Sequence, residues 1–249
     1  MRPVLFEWRR VRIPSYLAML YLGLVVGVGA GNLAAHAAHL DGFKVFAATF
    51  LLLIPALAGA RLLHVACNWS FYRAHPDRIW DRAGGGADMY GGVPAMLILS
   101  VPVLALMGLP LGTFWDVASF SILTGMVVTR IGCLLHGCCA GRLYEGWPAM
   151  RLPGPDGRLA RRLPTPLFEA GLAAVVLMTA ALAWPATPFP GALFLLVVAG
   201  YASGRLLLES TRQESVGSRF TISHAISAAL VALALGTLAA VAALAGRPA

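Results

Sequence analysis

The chain has 249 residues, 59% of them hydrophobic and 12% charged, with a net charge of +8 and a mean hydropathy of +0.76. Soluble domains run about 45–50% apolar and about 25% charged, so this composition excludes an ordinary water-soluble domain and describes an integral membrane protein. Lys44 is the only lysine, so arginine carries nearly all the positive charge; in a membrane chain that balance points to anionic phospholipid head groups, with no nucleic acid.

The apolar runs predict helices near 15–35, 45–67, 92–110, 115–135, 166–184, 190–209 and 221–245. The expected fold is therefore all-α, a polytopic membrane protein of about seven transmembrane helices. It forms one domain over 1–249, with polar loop insertions at 68–91 and 136–165. The basic N-terminus, MRPVLFEWRR, precedes an apolar stretch long enough to span and is followed by further spans. It reads as the first transmembrane helix rather than a cleaved signal peptide. With seven spans, the arginine-rich loops fall on the side of the N-terminus, and the positive-inside rule places that side in the cytoplasm. Arginines recruited to bind a phosphate would bias the same count.

The first segment with chemistry in it is DRAGGGADMYGG, residues 81–92, where five glycines surround Asp88 and Tyr90 just before an apolar helix. It is either a plain connector or a loop that brings a phenol to a ligand. Its glycine spacing follows no strand, so it is not a dinucleotide site.

The next is RIGCLLHGCCAGR, which opens at Arg130 at the end of an apolar run. A charged side chain near the bilayer centre is disfavoured by roughly 2.5–3.5 kcal/mol, so an intramembrane arginine is a functional candidate. Arg130 and Cys133 share one helix face, and the neighbouring glycines end the helix or let backbone approach a ligand. An arginine that only snorkels to the interface is the alternative, but the surrounding polar cluster favours phosphate binding. His136, Cys138 and Cys139 include donor types that accept zinc or copper, yet H-x-C-C lacks the paired C-x-x-C elements of a zinc signature. A packed thiol pair is the preferred reading, with no metal and no cofactor expected. Cys67 reads as packing.

The last is GYASGRLLLESTR, where Tyr201, Arg205, Glu209 and Arg212 recur every three or four residues and share one helix face. Arg205 and Glu209 are spaced to pair, which lowers the burial penalty, and a structural ion pair holding two helices together is the alternative reading of this stripe. Two arginine-bearing stripes on membrane helices suggest a buried anion site.

Together these segments resemble the prolipoprotein diacylglyceryl transferase family. SYLAMLYLG resembles its first-helix tyrosine motif, GGADMYGG its glycine loop, Asp116 the acidic residue upstream of the signature, and RIGCLLHGCCAGR the signature itself. LPTPLFEAG resembles the following Pro-Leu-Tyr-Glu-Ala block, and GYASGRLLLESTR the late Arg/Glu helix. The resemblance implies a fold of about seven helices in the bacterial inner membrane. It also implies transfer of the diacylglyceryl group of phosphatidylglycerol onto the cysteine thiol of a lipoprotein precursor, at a site opening to the periplasm. It assigns Arg130 and Arg205 to the lipid phosphate, with Glu209 and Arg212 as their neighbours, Gly141 as the late signature glycine and Tyr16 as the first-helix tyrosine. The sequence departs from the family at four places: Tyr90 stands for the loop histidine, Cys133 and His136 for two asparagines, and Cys138 for the signature glutamate.

The candidate catalytic residues are therefore Arg130, Arg205, His136, Tyr90, Cys138 and Glu209, with His136 first as general base because its ordinary pKa lies nearest neutrality. The candidate substrate-binding residues are Tyr16, Asp116, Cys133, Gly141, Arg142 and Arg212. The expected partners are phosphatidylglycerol or another anionic phospholipid, a thiol acceptor and the membrane. Two other readings compete. One is a related lipid transferase with a different acceptor or a covalent intermediate on Cys138 or Cys139; the other is a non-catalytic lipid- or metal-binding membrane protein.

Overall fold

The computed structural model describes residues 4–8, 11–79, 89–154, 157–212 and 222–245. Among them are the helices α1 (Ser15–Ala37), α2 (Gly42–Cys67), α3 (Trp69–Ala74), α4 (Met89–Met107), α5 (Leu111–His136), α6 (Thr165–Ala183), α7 (Ala192–Glu209) and α8 (Ile222–Ala245). Five are long and apolar enough to cross a bilayer: α1, α2, α5, α6 with its 3-10 extension to Ala186, and α7. Shorter apolar stretches, Gly92–Met107 and Ala225–Val241, lie in α4 and α8. The protein is an all-α polytopic membrane protein, and among the described residues the five long apolar helices and the two shorter ones fall on the expected apolar runs. Large apolar side chains on their outer faces, including Leu33, Leu106, Leu182 and Leu207, are exposed as lipid-facing residues should be.

Two antiparallel hairpins add to the helices. β1 (Val4–Trp8) pairs with β2 (Val11–Pro14), and β3 (Met150–Pro153) pairs with β4 (Leu159–Arg162) with Met150 opposite Arg162 and Pro153 opposite Leu159. The second hairpin occupies the span expected as a loop at 136–165. Its Gly-Pro-Asp-Gly sequence carries the composition of a tight turn, and Gly157 sits at φ +73°.

The backbone falls into two compact units. In the smaller, Ala35–Phe114, α2 packs against α4. Asp41 caps α2, its Oδ1 accepting from the Phe43 and Lys44 backbone N–H at 2.9 and 3.2 Å. The Arg61 guanidinium donates to the carbonyls of Ile79 and Arg78 at 2.7 and 2.9 Å, which ties the segment after α3 back onto α2.

The larger unit holds most of α1 and α5, all of α6, α7 and α8, and both hairpins. α1 runs antiparallel to α5 with the backbones nearly touching: a Cβ at Gly27 would lie 2.6 Å from the Ser121 carbonyl oxygen, and one at Gly23 would lie 2.9 Å from that of Gly125. Small residues permit this approach in membranes, where dispersion rather than water exclusion drives helix contact. The register brings the start of α1 beside the end of α5, with the Tyr16 and His136 rings 6.3 Å apart. α7 packs between α6 and α8.

Candidate functional site

The site is built around a carboxylate that no polar loop supplies. Glu169, in the second turn of α6, is fully buried, and burying an ionised carboxylate is tolerated only when it is paired and hydrogen-bonded. Three guanidiniums meet it. Arg130 from α5 places Nη1 2.8 Å from Oε2, Arg212 just beyond α7 places Nη1 3.3 Å from Oε1, and Arg205 from α7 donates from Nη1 to the same Oε1 in a close contact. Arg205 also pairs with Glu209 one turn further along α7, with Nη2 and Oε2 3.5 Å apart. The buried hydroxyl of Tyr201, one turn before Arg205, lies in the same electrostatic environment.

The members of this cluster differ in access. The Arg205 side chain is 9% exposed, whereas those of Arg130 and Arg212 are 20% and 25% exposed. With five donors on each planar fork, Arg130 and Arg212 retain accessible edges that can meet a second anion. Arg205 is the buried clasp that holds Glu169 in place.

The loop leaving α5 is pinned beside the cluster by backbone. Gly141 N–H donates to the Leu163 carbonyl and Arg142 N–H to the Thr211 carbonyl, each at 2.9 Å. Thr165 Oγ1 donates to that same Thr211 oxygen at 3.3 Å. Only glycine fits at 141: a Cβ there would sit 2.9 Å from the Leu163 oxygen and nearer still to Thr165 Oγ1 and the Thr211 oxygen. Beneath this loop Arg162 is buried, donating from Nη1 to the Gly141 carbonyl at 3.3 Å.

Gly137 (φ +83°) and Cys139 (φ +60°) turn the chain back on itself at the end of α5. The N–H groups of Gly137 and Cys138 both donate to the Cys133 carbonyl, at 3.0 and 3.1 Å, closing the helix terminus. The turn brings the sulfurs of Cys133, Cys138 and Cys139 within 4.8 Å of one another, all as free cysteines. Hydrogen bonds from Cys133 and Cys138, helped by Arg130 and Arg212, hold the Cys139 thiol well below the usual range, while those from Cys133 and Cys139 push Cys138 up.

Comparison with known proteins decides the family. Residues 3–240 match the family model for prolipoprotein diacylglyceryl transferase. The chain belongs to that family. Proteins named phosphatidylglycerol--prolipoprotein diacylglyceryl transferase are similar along almost the whole length. The one from Bacillus licheniformis is 26% identical over 255 residues, covering 96% of this chain and 92% of its own. Those from Thermosynechococcus vestitus and Bacillus velezensis are 24% and 28% identical, covering 89% and 88% of this chain and 85% and 86% of theirs.

Within this diacylglyceryl transferase family member, the structure brings Arg130, Arg205, Glu209 and Arg212 together, with Cys133, Cys138 and Gly141 on the adjoining turn. Tyr16 and His136 face each other at the same end of α5. Arg142 contributes backbone to the pinned loop and leaves its side chain exposed. Asp116 lies elsewhere: its carboxylate accepts from the backbone N–H of Gly191 at 2.7 Å and Phe194 at 2.9 Å, capping the start of α7, whereas Arg205 lies near that helix's end. Tyr90 is in the first turn of α4, its side chain outside the described residues, as are Asp88 and the preceding glycines. Sequence reasoning left Glu169, Tyr201 and Arg162 off the candidate list. Glu169 was detectable as a lone carboxylate in an apolar helix, and Tyr201 as the first member of the α7 stripe; Arg162 had no signal beyond its charge.

Proposed function

We propose that this protein is a multi-pass enzyme of the bacterial inner membrane that transfers the diacylglyceryl group of phosphatidylglycerol to the cysteine thiol of a lipoprotein precursor. The observation that carries the reading is the convergence of Arg130, Arg205 and Arg212, from α5, α7 and the segment after it, on the buried Glu169. Family membership and the names of its relatives support the same chemistry.

In the reaction, the acceptor sulfur attacks the glycerol carbon that bears the phosphate ester. The carbon–oxygen bond breaks, and glycerol phosphate leaves with the electron pair on oxygen. Charge therefore develops on a phosphate oxygen, and the partly exposed edges of Arg130 and Arg212 are the groups available to meet it. Donors fixed before the reaction lower the barrier most in a water-poor site, and Glu169 with Arg205 fixes these two. His136, at the end of α5 and facing Tyr16, is the candidate to accept the acceptor's proton.

The test incubates detergent-solubilised protein with phosphatidylglycerol and a peptide carrying a lipoprotein-type cysteine. The expected products are diacylglyceryl-peptide thioether and glycerol phosphate, both absent with Arg130→Ala. Wild-type protein that forms neither product, but consumes the lipid with another thiol, overturns the proposed acceptor.

A further inference from the structure

We propose that Cys133, Cys138 and Cys139 form a three-thiolate zinc site whose fourth position takes up the acceptor thiol. The sequence alone groups His136 with Cys138 and Cys139; the folded chain instead joins Cys133 to them, with the three sulfurs within 4.8 Å of one another. Zinc–sulfur bonds of about 2.3 Å place ligand sulfurs roughly 3.8 Å apart in a tetrahedral site. Small side-chain rotations therefore suffice to close the set around one ion.

The local backbone favours such a site. Cys139 is a non-glycine residue in the left-handed region, at φ +60°, a conformation that costs energy and concentrates at functional positions. Here it swings the third sulfur back toward the helix that carries the first. Cys133 is buried, Cys138 half-buried and Cys139 exposed, so the cluster has a floor and an open mouth. A ligand set made only of thiolates selects a soft ion over calcium, magnesium or manganese. Three protein ligands with an open fourth position are the arrangement of catalytic zinc. Arg130 and Arg212 lie close enough to act electrostatically on Cys139, and would balance the net negative charge of a zinc tris-thiolate.

The inference rests on the thiol-transfer reading above and supplies what that reaction needs, an acceptor held as thiolate. Coordination of the acceptor sulfur to the zinc loosens its proton, which passes to His136, the proton acceptor named above. The bound sulfur attacks the glycerol carbon as the carbon–oxygen bond breaks, and the electron pair leaves on the phosphate oxygen. The zinc changes neither charge nor oxidation state.

The experiment purifies the full-length protein in detergent without chelator and measures its metals by mass spectrometry. About one zinc per chain is expected, lost in Cys133→Ser and Cys138→Ser and kept in Cys67→Ser, each variant being checked for folding by thermal unfolding. Cobalt(II) in place of zinc should give sulfur-to-cobalt charge-transfer bands, with visible bands that shift on adding a cysteine peptide and not its serine analogue. Removing zinc from the wild type with a chelator avoids mutation altogether: transfer should fall at least about tenfold and return with zinc chloride. Protein that retains no zinc after zinc chloride is supplied, that holds copper instead, or that transfers lipid equally well without zinc overturns the site. In the last case the transferase reading stands. Stoichiometric zinc with a cobalt shift, but no transfer from phosphatidylglycerol to any thiol, upholds the site and removes the transferase reading.

Discussion

Arg130 and Glu169 meet at 2.8 Å across two helices that the chain separates by the whole signature loop and the β3–β4 hairpin. The pair joins the end of one span to the start of the next, and the carboxylate is much the more buried partner. Glu169→Gln removes the charge on which the three guanidiniums converge. Breaking a buried pair from one side typically loses about 3–5 kcal/mol, so thermal unfolding in detergent should show a large drop in stability together with loss of transfer.

Arg130→Ala and Arg205→Ala should separate stability from chemistry. Arg205 is nearly enclosed and clasps both Glu169 and Glu209, so its loss should lower the unfolding temperature more. Arg130 is more open, and its removal should act mainly on turnover, by roughly 100- to 1,000-fold as for a donor that stabilises a developing anion. Parallel measurement of kcat and unfolding temperature distinguishes the two.

Gly141→Ala places a methyl group against the Leu163 and Thr211 carbonyls. Overpacking of this kind destabilises by about 1–3 kcal/mol, and the signature loop must shift to relieve it. The expected result is a weakened fold with a disproportionate fall in transfer rate, since the displaced loop carries Cys138 and Cys139. A variant with unchanged turnover would show that the loop's position is irrelevant.

Asp116→Ala should behave differently from any variant of the arginine cluster. Its carboxylate satisfies two N–H groups at the start of α7, and loss of such a cap typically lowers stability by about 0.5–2 kcal/mol. Transfer kinetics of the folded protein should change little. A marked rise in KM for phosphatidylglycerol would return Asp116 to the substrate site.

Much of this architecture was legible in the sequence because lipid imposes a simple rule: each span needs a long apolar run, and the runs could be counted. The stripe from Tyr201 to Arg212 was equally plain, since helical periodicity alone puts those residues on one face. The β3–β4 hairpin was not expected because its strands carry arginines in a segment that reads as polar loop. Asp116 could be placed upstream of the signature but not oriented, since a cap is defined by the helix it meets. The grouping of Cys133 with Cys138 and Cys139 depends on the left-handed geometry at Gly137 and Cys139, which residue spacing does not encode. The orientation count was similarly affected: Arg162 and Arg212 contribute to it, yet both are engaged inside the protein.

The sharing of one carboxylate among three cations has a consequence for how this cluster can change. Substitutions at Arg130, Arg205 and Arg212 should be strongly epistatic, because each alters the charge balance seen by the other two. In a chain that has already lost Glu169, removing one arginine should relieve repulsion and restore part of the stability. Viable histories through this region are thus expected to exchange the four positions jointly, not one at a time.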